Sequence, residues 1–225
     1  MHENHRARVR ERYFAGGLEN MDDRAVLEML LFYCIPRKDT NPAAQLLLDT
    51  FGSLSGVLEA SPDDLRSVKG IGDNAAAFLT MLPQVCKRYM TGTLTEKSLY
   101  LDDFNAVSRF VSSVFLAEKN EVFMLLCFDG AGRLTNTSET QGEKAAVTPD
   151  FDGLLTFAKK SRAKTVIVAH NHPDGLASPS REDVNSTKQL IKLFSQNGIK
   201  LADHFIQGAD GLLSMRSTER FGVLF

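Results

Sequence analysis

Residues 163–183 read AKTVIVAHNHPDGLASPSRED, and their interpretation decides how the second half of the chain folds. The run AKTVIVA is rich in β-branched residues and has the length of a buried strand. It leaves its apolar character abruptly at His170-Asn171-His172. Pro173, Gly175 and Pro179 then make a turning loop, and Ser180 caps a helix, SREDVNSTKQLIKLFSQNG, that Gly198 closes. KLADHFIQ and GLLSMRS follow as two short strands around a turn at Asp210–Gly211. Upstream, DDFNAVSRFVSSVFLAE is an amphipathic helix and EVFMLLCFD a buried strand. After the turn GAG, the polar strand RLTNTSET pairs back as a hairpin, and DGLLTFAKKSR is helical. Strands alternating with helices in this way predict an α/β or α+β domain, with helices against a mixed sheet.

The first half follows a different grammar. From Asp22 to about Met90 the apolar residues recur at three and four, as in DDRAVLEMLLFYCI, which Pro36 ends. TNPAAQLLLDTFGSL carries Thr40 or Asn41 as its cap, Pro42 in its first turn and Gly52 at its close. SPDDLRSV repeats the device from Ser61, and DNAAAFLTMLPQVCKRY follows a Gly-Ile-Gly turn. MTGTLTEKSLYL has no apolar periodicity and reads as a linker. The expected division is a small all-α domain at 1–90, a linker at 91–102 and the mixed-sheet domain at 103–225.

Composition narrows the function. A net charge of −2 and a pI near 6.2 exclude a protein that coats nucleic acid by bulk electrostatics, so any such contact is a local patch. Cys34, Cys86 and Cys127 are far apart in apolar settings, which reads as core thiols of a reducing compartment. The polar start MHENHRARVRERY lacks the apolar core of a signal peptide, and no apolar run approaches a membrane span. The expectation is a cytoplasmic protein without membrane contact.

His170 and His172 stand two apart at a strand exit, so both rings project to one side. Neutral, they form a bidentate nitrogen platform suited to zinc, whose catalytic sites take three protein ligands and leave a fourth position for water. Asp183, in the first turn of the returning helix, is the candidate third ligand. Ser180-x-x-Asp183 is by itself a capping arrangement, and a surface His-x-His by itself a loop feature. Their conjunction across one short loop points to a metal. Ser180, beside that metal, can donate to a developing oxyanion while capping its helix.

His170-x-His172, seven residues, Ser180, two residues, Asp183 resembles the signature of JAMM/MPN+ metalloproteins. The wording AHNHPDG…PS..D with DHFIQG downstream resembles the bacterial RadC family. That resemblance implies an MPN-type α/β domain binding one Zn²⁺ per chain through His170, His172 and Asp183. It implies Glu121, opening EVFMLLCFD, as general base, and hydrolysis of amide or isopeptide bonds in a protein or peptide substrate. The family often carries Pro-Arg-Glu before the helix that leads to the histidine strand, where this chain has TPDFDG. His204 is expected to serve structurally, at a strand end.

The resemblance also implies an N-terminal helix-hairpin-helix, to which VKGIGDNAA is similar. Lys69, Gly70, Ile71, Gly72 and Asn74 are then candidate DNA contacts, with backbone N–H groups cradling a phosphate. The same residues also describe a tight helix–helix connection with Ile71 packed inside. A DNA-associated repair or recombination factor that binds or hydrolyses nucleic acid is accordingly the second functional reading. The terminal arginines of HRARVRERY form the stronger basic patch, or a solvated helix start.

Overall fold

The computed structural model describes residues 2–96, 99–116, 118–142 and 149–225. They fall into two compact units, Met1–Cys86 and Lys87–Phe225. Among the described residues no helix is long and apolar enough to cross a membrane.

The first unit is helical: α1 (His2–Gly16), α2 (Asp23–Cys34), α3 (Asn41–Phe51), α4 (Leu54–Glu59), α5 (Pro62–Ser67) and the start of α6 (Asp73–Glu96). Asp22, Ser53 and Ser61 each accept a backbone N–H of the helix they open. Gly52 ends α3 at φ 81°, a conformation glycine adopts without steric penalty. Leu27, Leu31, Leu47, Val57, Leu65, Ile71 and Leu79 form its main core. The arginines of α1 do not all face solvent. Arg6 donates to the carbonyls of Phe32 at 3.2 Å, and of Ile35 and Lys38 at 2.6 Å, satisfying the open C-terminal end of α2. Its guanidinium also lies over the Phe32 ring.

The linker expected at 91–102 takes a different form. α6 continues to Glu96, Leu99 is buried in the core of the second unit, and Tyr100 bridges to Arg133; residues 97 and 98 lie outside the described residues. Thr and Gly lower helix propensity without forbidding a helix already nucleated upstream.

The second unit is a five-stranded mixed sheet between helices. α7 (Phe104–Phe115), β1 (Val122–Phe128), β2 (Leu134–Gln141), α8 (Phe151–Lys160), β3 (Thr165–Asn171), α9 (Arg181–Gln196), β4 (Lys200–Gly208) and β5 (Gly211–Ser214) follow in order. The strands lie in the order β2-β1-β3-β4-β5, with β3 and β4 parallel across the α9 crossover. The other three pairings are antiparallel. One sheet face packs Met124, Leu126, Phe128, Ile167 and Phe205 on Val107, Phe110, Val111 and Val114 of α7. The other packs Leu125, Cys127, Val166 and Val168 on Leu154 and Ala158 of α8 and on Leu190 and Phe194 of α9. Continuous burial along β1 and nearly all of β3 is what helices on both faces require.

Asp150 caps α8, its carboxylate accepting the Gly153 N–H at 3.1 Å, so most of TPDFDG serves as a helix start; Thr148 lies outside the described residues.

Candidate metal centre

β3 delivers His170 to the face that α9 covers, and the loop after it returns the chain to the start of that helix. The His170 and His172 Nε2 atoms lie 3.0 Å apart, and His170 Nε2 lies 3.2 Å from Asp183 Oδ1. His172 Nε2 is 3.7 Å from Asp183 Oδ2. One nitrogen or oxygen from each of the three residues falls within 4.8 Å of the others. The His170 side chain is 6% exposed, against 19% for His172 and 18% for Asp183, so the cluster opens toward solvent on the side of the latter two.

The donor set fits a divalent metal. Zinc with bonds of about 2.0–2.1 Å would hold tetrahedral ligand atoms roughly 3.3 Å from one another, the spacing of these nitrogens and oxygens. The His172 Nδ1–H donates to the Leu176 carbonyl at 2.9 Å, which leaves the Nε2 lone pair facing the cluster. Asp183 Oδ2 accepts the Ser180 N–H at 2.7 Å, while Oδ1 faces His170. Burial alone would raise the Asp183 carboxyl; hydrogen bonding and attraction from His170, with the Ser180 contacts, outweigh it and hold the group well below the usual carboxylate range.

The capping residues and the cluster share one helix turn. Ser180 Oγ accepts the Asp183 N–H at 3.1 Å, and with the reciprocal Ser180 N–H bond this completes a capping box. The acceptor role leaves the hydroxyl proton for another partner. The loop from His172 to Ser180 is strapped to the β4–β5 turn. His172 N–H donates to Gln207 O at 2.7 Å, Ala209 N–H to Gly175 O at 2.9 Å and Ala177 N–H to Asp210 Oδ1 at 2.7 Å. Gly208 permits this approach, since a Cβ there would stand 2.1 Å from the Ala177 nitrogen.

Glu121 is the residue before β1. Phe123 pairs with His170 at the end of the antiparallel ladder, and Glu121 lies two residues before Phe123, just outside the strand. The Asn of His-Asn-His has a task the sequence did not reveal. Buried Asn171 accepts the Val122 N–H at 2.6 Å and donates to the Asn120 carbonyl at 3.1 Å, clamping the backbone on either side of Glu121.

His204, expected to serve structurally at a strand end, lies instead in the middle of β4. Its Nε2 lies 2.8 Å from His170 Nδ1, and its Nδ1 2.6 Å from Thr187 Oγ1 on α9. Burial is the main cause that lowers its pKa well below the ordinary histidine value; the neighbouring imidazoles lower it further, and Asp183 opposes them. A register shift at Ala202 sets the face on which His204 lies. Val166 pairs with Leu201 but Ile167 with Asp203, so the extra residue puts His204, instead of Asp203, on the α9 face.

In the first unit, α5, a turn and α6 place the remaining candidates. Gly70 has φ 97°, Ile71 is buried in the core, and Lys69, Gly72 and Asn74 are exposed. Arg66 pairs with Asp63 and with Asp73, so acidic groups flank this turn. The structure therefore places Ile71 in a packing role and the other four at a surface that carries both charges.

The RadC-like JAB domain family model matches residues 101–220, more than half of the chain. The chain belongs to that family. The match covers the mixed sheet and the whole histidine–aspartate cluster, and assigns this part of the chain to the JAB/MPN superfamily. The RadC-like domain spans all five strands, and the helix-hairpin-helix resemblance lies outside the matched residues.

Proposed function

We propose that the RadC-like domain is a zinc-dependent hydrolase of amide or isopeptide bonds, with His170, His172 and Asp183 as ligands and Glu121 as general base. The observation that carries this reading is the convergence of two imidazole nitrogens and one carboxylate oxygen on a partly open point. A zinc ion bound there would supply a Lewis acid and a water acidified toward neutrality. Glu121 accepts the proton from water as its oxygen attacks the carbonyl carbon, then returns it to the nitrogen as the carbon–nitrogen bond breaks. Ser180 donates its free hydroxyl proton to the oxyanion formed between these steps. Asn171 holds the Glu121 backbone, and the Leu176 carbonyl holds the His172 ring.

The test is metal analysis together with cleavage of a mixed peptide library read by mass spectrometry, with DNA strands incubated in parallel. The native protein is expected to carry one zinc and cleave peptides. Asp183→Ala loses the metal with its fold retained. Glu121→Gln keeps zinc and loses turnover by about 10²–10⁴-fold. A full equivalent of zinc in Asp183→Ala would remove the ligand assignment. Cleavage of DNA with peptides left intact would move the chemistry to phosphodiesters.

A further inference from the structure

His204 is buried, on a strand that supplies no proposed ligand, and its ring touches both His170 and the helix that carries Asp183. The hydrogen bonds around it can be assigned a direction. Thr187 Oγ1 lies 2.6 Å from the Asp183 carbonyl oxygen, and a carbonyl only accepts, so the single hydroxyl proton of Thr187 is spent there. The 2.6 Å contact between Thr187 Oγ1 and His204 Nδ1 then needs its proton from the ring. His204 is 1% exposed and its ring nitrogens meet a hydroxyl and an imidazole, neither of which compensates a buried positive charge. The ring is therefore held neutral, Nε2 carries a lone pair, and the 2.8 Å contact to His170 Nδ1 is filled by the His170 Nδ1–H. Each step leaves one choice for the next.

We propose that His204, oriented by Thr187, is a positioning residue that fixes His170 as the Nδ1–H tautomer, aiming the His170 Nε2 lone pair at the metal. This inference rests on reading the cluster as a metal centre. The hydrogen that a ligating histidine holds away from its metal commonly goes to a carboxylate, a carbonyl or water; here a second imidazole takes it. The route closes on itself, because Thr187 bonds the backbone of Asp183. The two ligands on regular elements, His170 on β3 and Asp183 on α9, are thereby tied through β4.

The experiment has two arms on the full chain. In the first, zinc affinity is measured by competition with a chromophoric chelator for the native protein and for His204→Leu, His204→Gln, Thr187→Val and Thr187→Ser. His204→Leu is expected to weaken zinc 10–100-fold. Gln keeps an acceptor near Nε2 and restores most of that loss. Thr187→Val, which preserves side-chain volume, weakens zinc several-fold, and Thr187→Ser restores it. In the second arm, ¹⁵N–¹H long-range correlation of the ring nitrogens assigns the His170 tautomer in metal-free protein. Nδ1–H is expected in the native chain and loss of that preference in Thr187→Val. Leu and Val variants that bind zinc as tightly as the native protein would overturn the proposal, as would an Nε2–H tautomer at His170. A native protein that binds no zinc yet shows the Nδ1–H tautomer would sink the metal reading while leaving the hydrogen-bond chain standing.

Discussion

At the scale of single residues, the cluster separates groups the sequence displayed from groups it concealed. His170, His172 and Asp183 were visible because three ligand-type side chains fell within a short strand–loop–helix segment. Thr187 and His204 were not, because their roles follow from contacts across α9 and a bulged strand. Asn171 sits in full view between the two histidines, yet alternation points it away from their rings, toward the chain that enters β1. Its task is testable. Asn171→Ala leaves the Val122 N–H and the Asn120 carbonyl without their partner, which costs about 1–3 kcal/mol where such groups are buried. The variant is expected to melt lower and to keep its zinc. Its turnover should fall because the backbone carrying Glu121 loosens. Calorimetry, metal analysis and the peptide assay read the three effects, and loss of the zinc itself would place Asn171 in the ligand framework instead.

At the scale of elements, local chemistry made most of the fold legible. Ser61 with Pro62, Gly52, Asp150, Ser180 and Gly198 all lie at helix ends, and the apolar runs of β1 and β3 are strands. The helical stretches that escaped the sequence lacked periodicity or propensity, Ser53 capping α4 notwithstanding. α4 has six residues, too few for periodicity to register, and the end of α6 is rich in residues of low helix propensity. The loop between β3 and α9 depended on something no local signal carries, the closeness of β4. Gly208 is the point of contact, and adding one carbon there drives the loop backbone away. Gly208→Ala is therefore expected to destabilise the protein by roughly 1–3 kcal/mol, as overpacking does. It should also weaken zinc binding although no ligand is altered, since the loop carries the Leu176 carbonyl that holds His172. Thermal melting and chelator competition on the same variant measure both; unchanged zinc affinity with lowered stability would show that loop and ligands are not coupled.

At the scale of the molecule, the family match and the cluster both lie in the second unit, while the first holds separate cores of its own. A ligand stabilises only what it binds, by RT ln(1 + [L]/Kd), about 2.7 kcal/mol at a hundredfold excess over Kd. The three thiols report where that stabilisation is felt. Cys127 is buried in the second unit, where burial pushes its thiol up to about 11 against a weaker opposing contact from Ser161. Cys34 is half-buried in the first unit and Cys86 is exposed. The folded Cys127 holds its proton more firmly than the unfolded one, so its contribution to stability is intact below the ordinary value of 9.0 and lost as pH rises toward 11. At pH 8 this thiol reacts with a disulfide reagent only when its unit opens. Saturating zinc at a hundred times Kd is therefore expected to slow Cys127 labelling about 100-fold, with Cys34 little changed and Cys86 fast throughout. Mass spectrometry of labelled peptides over time gives all three rates from one sample. Equal slowing of Cys34 would show that the two units open together, and unslowed Cys127 would show that zinc does not bind the folded second unit.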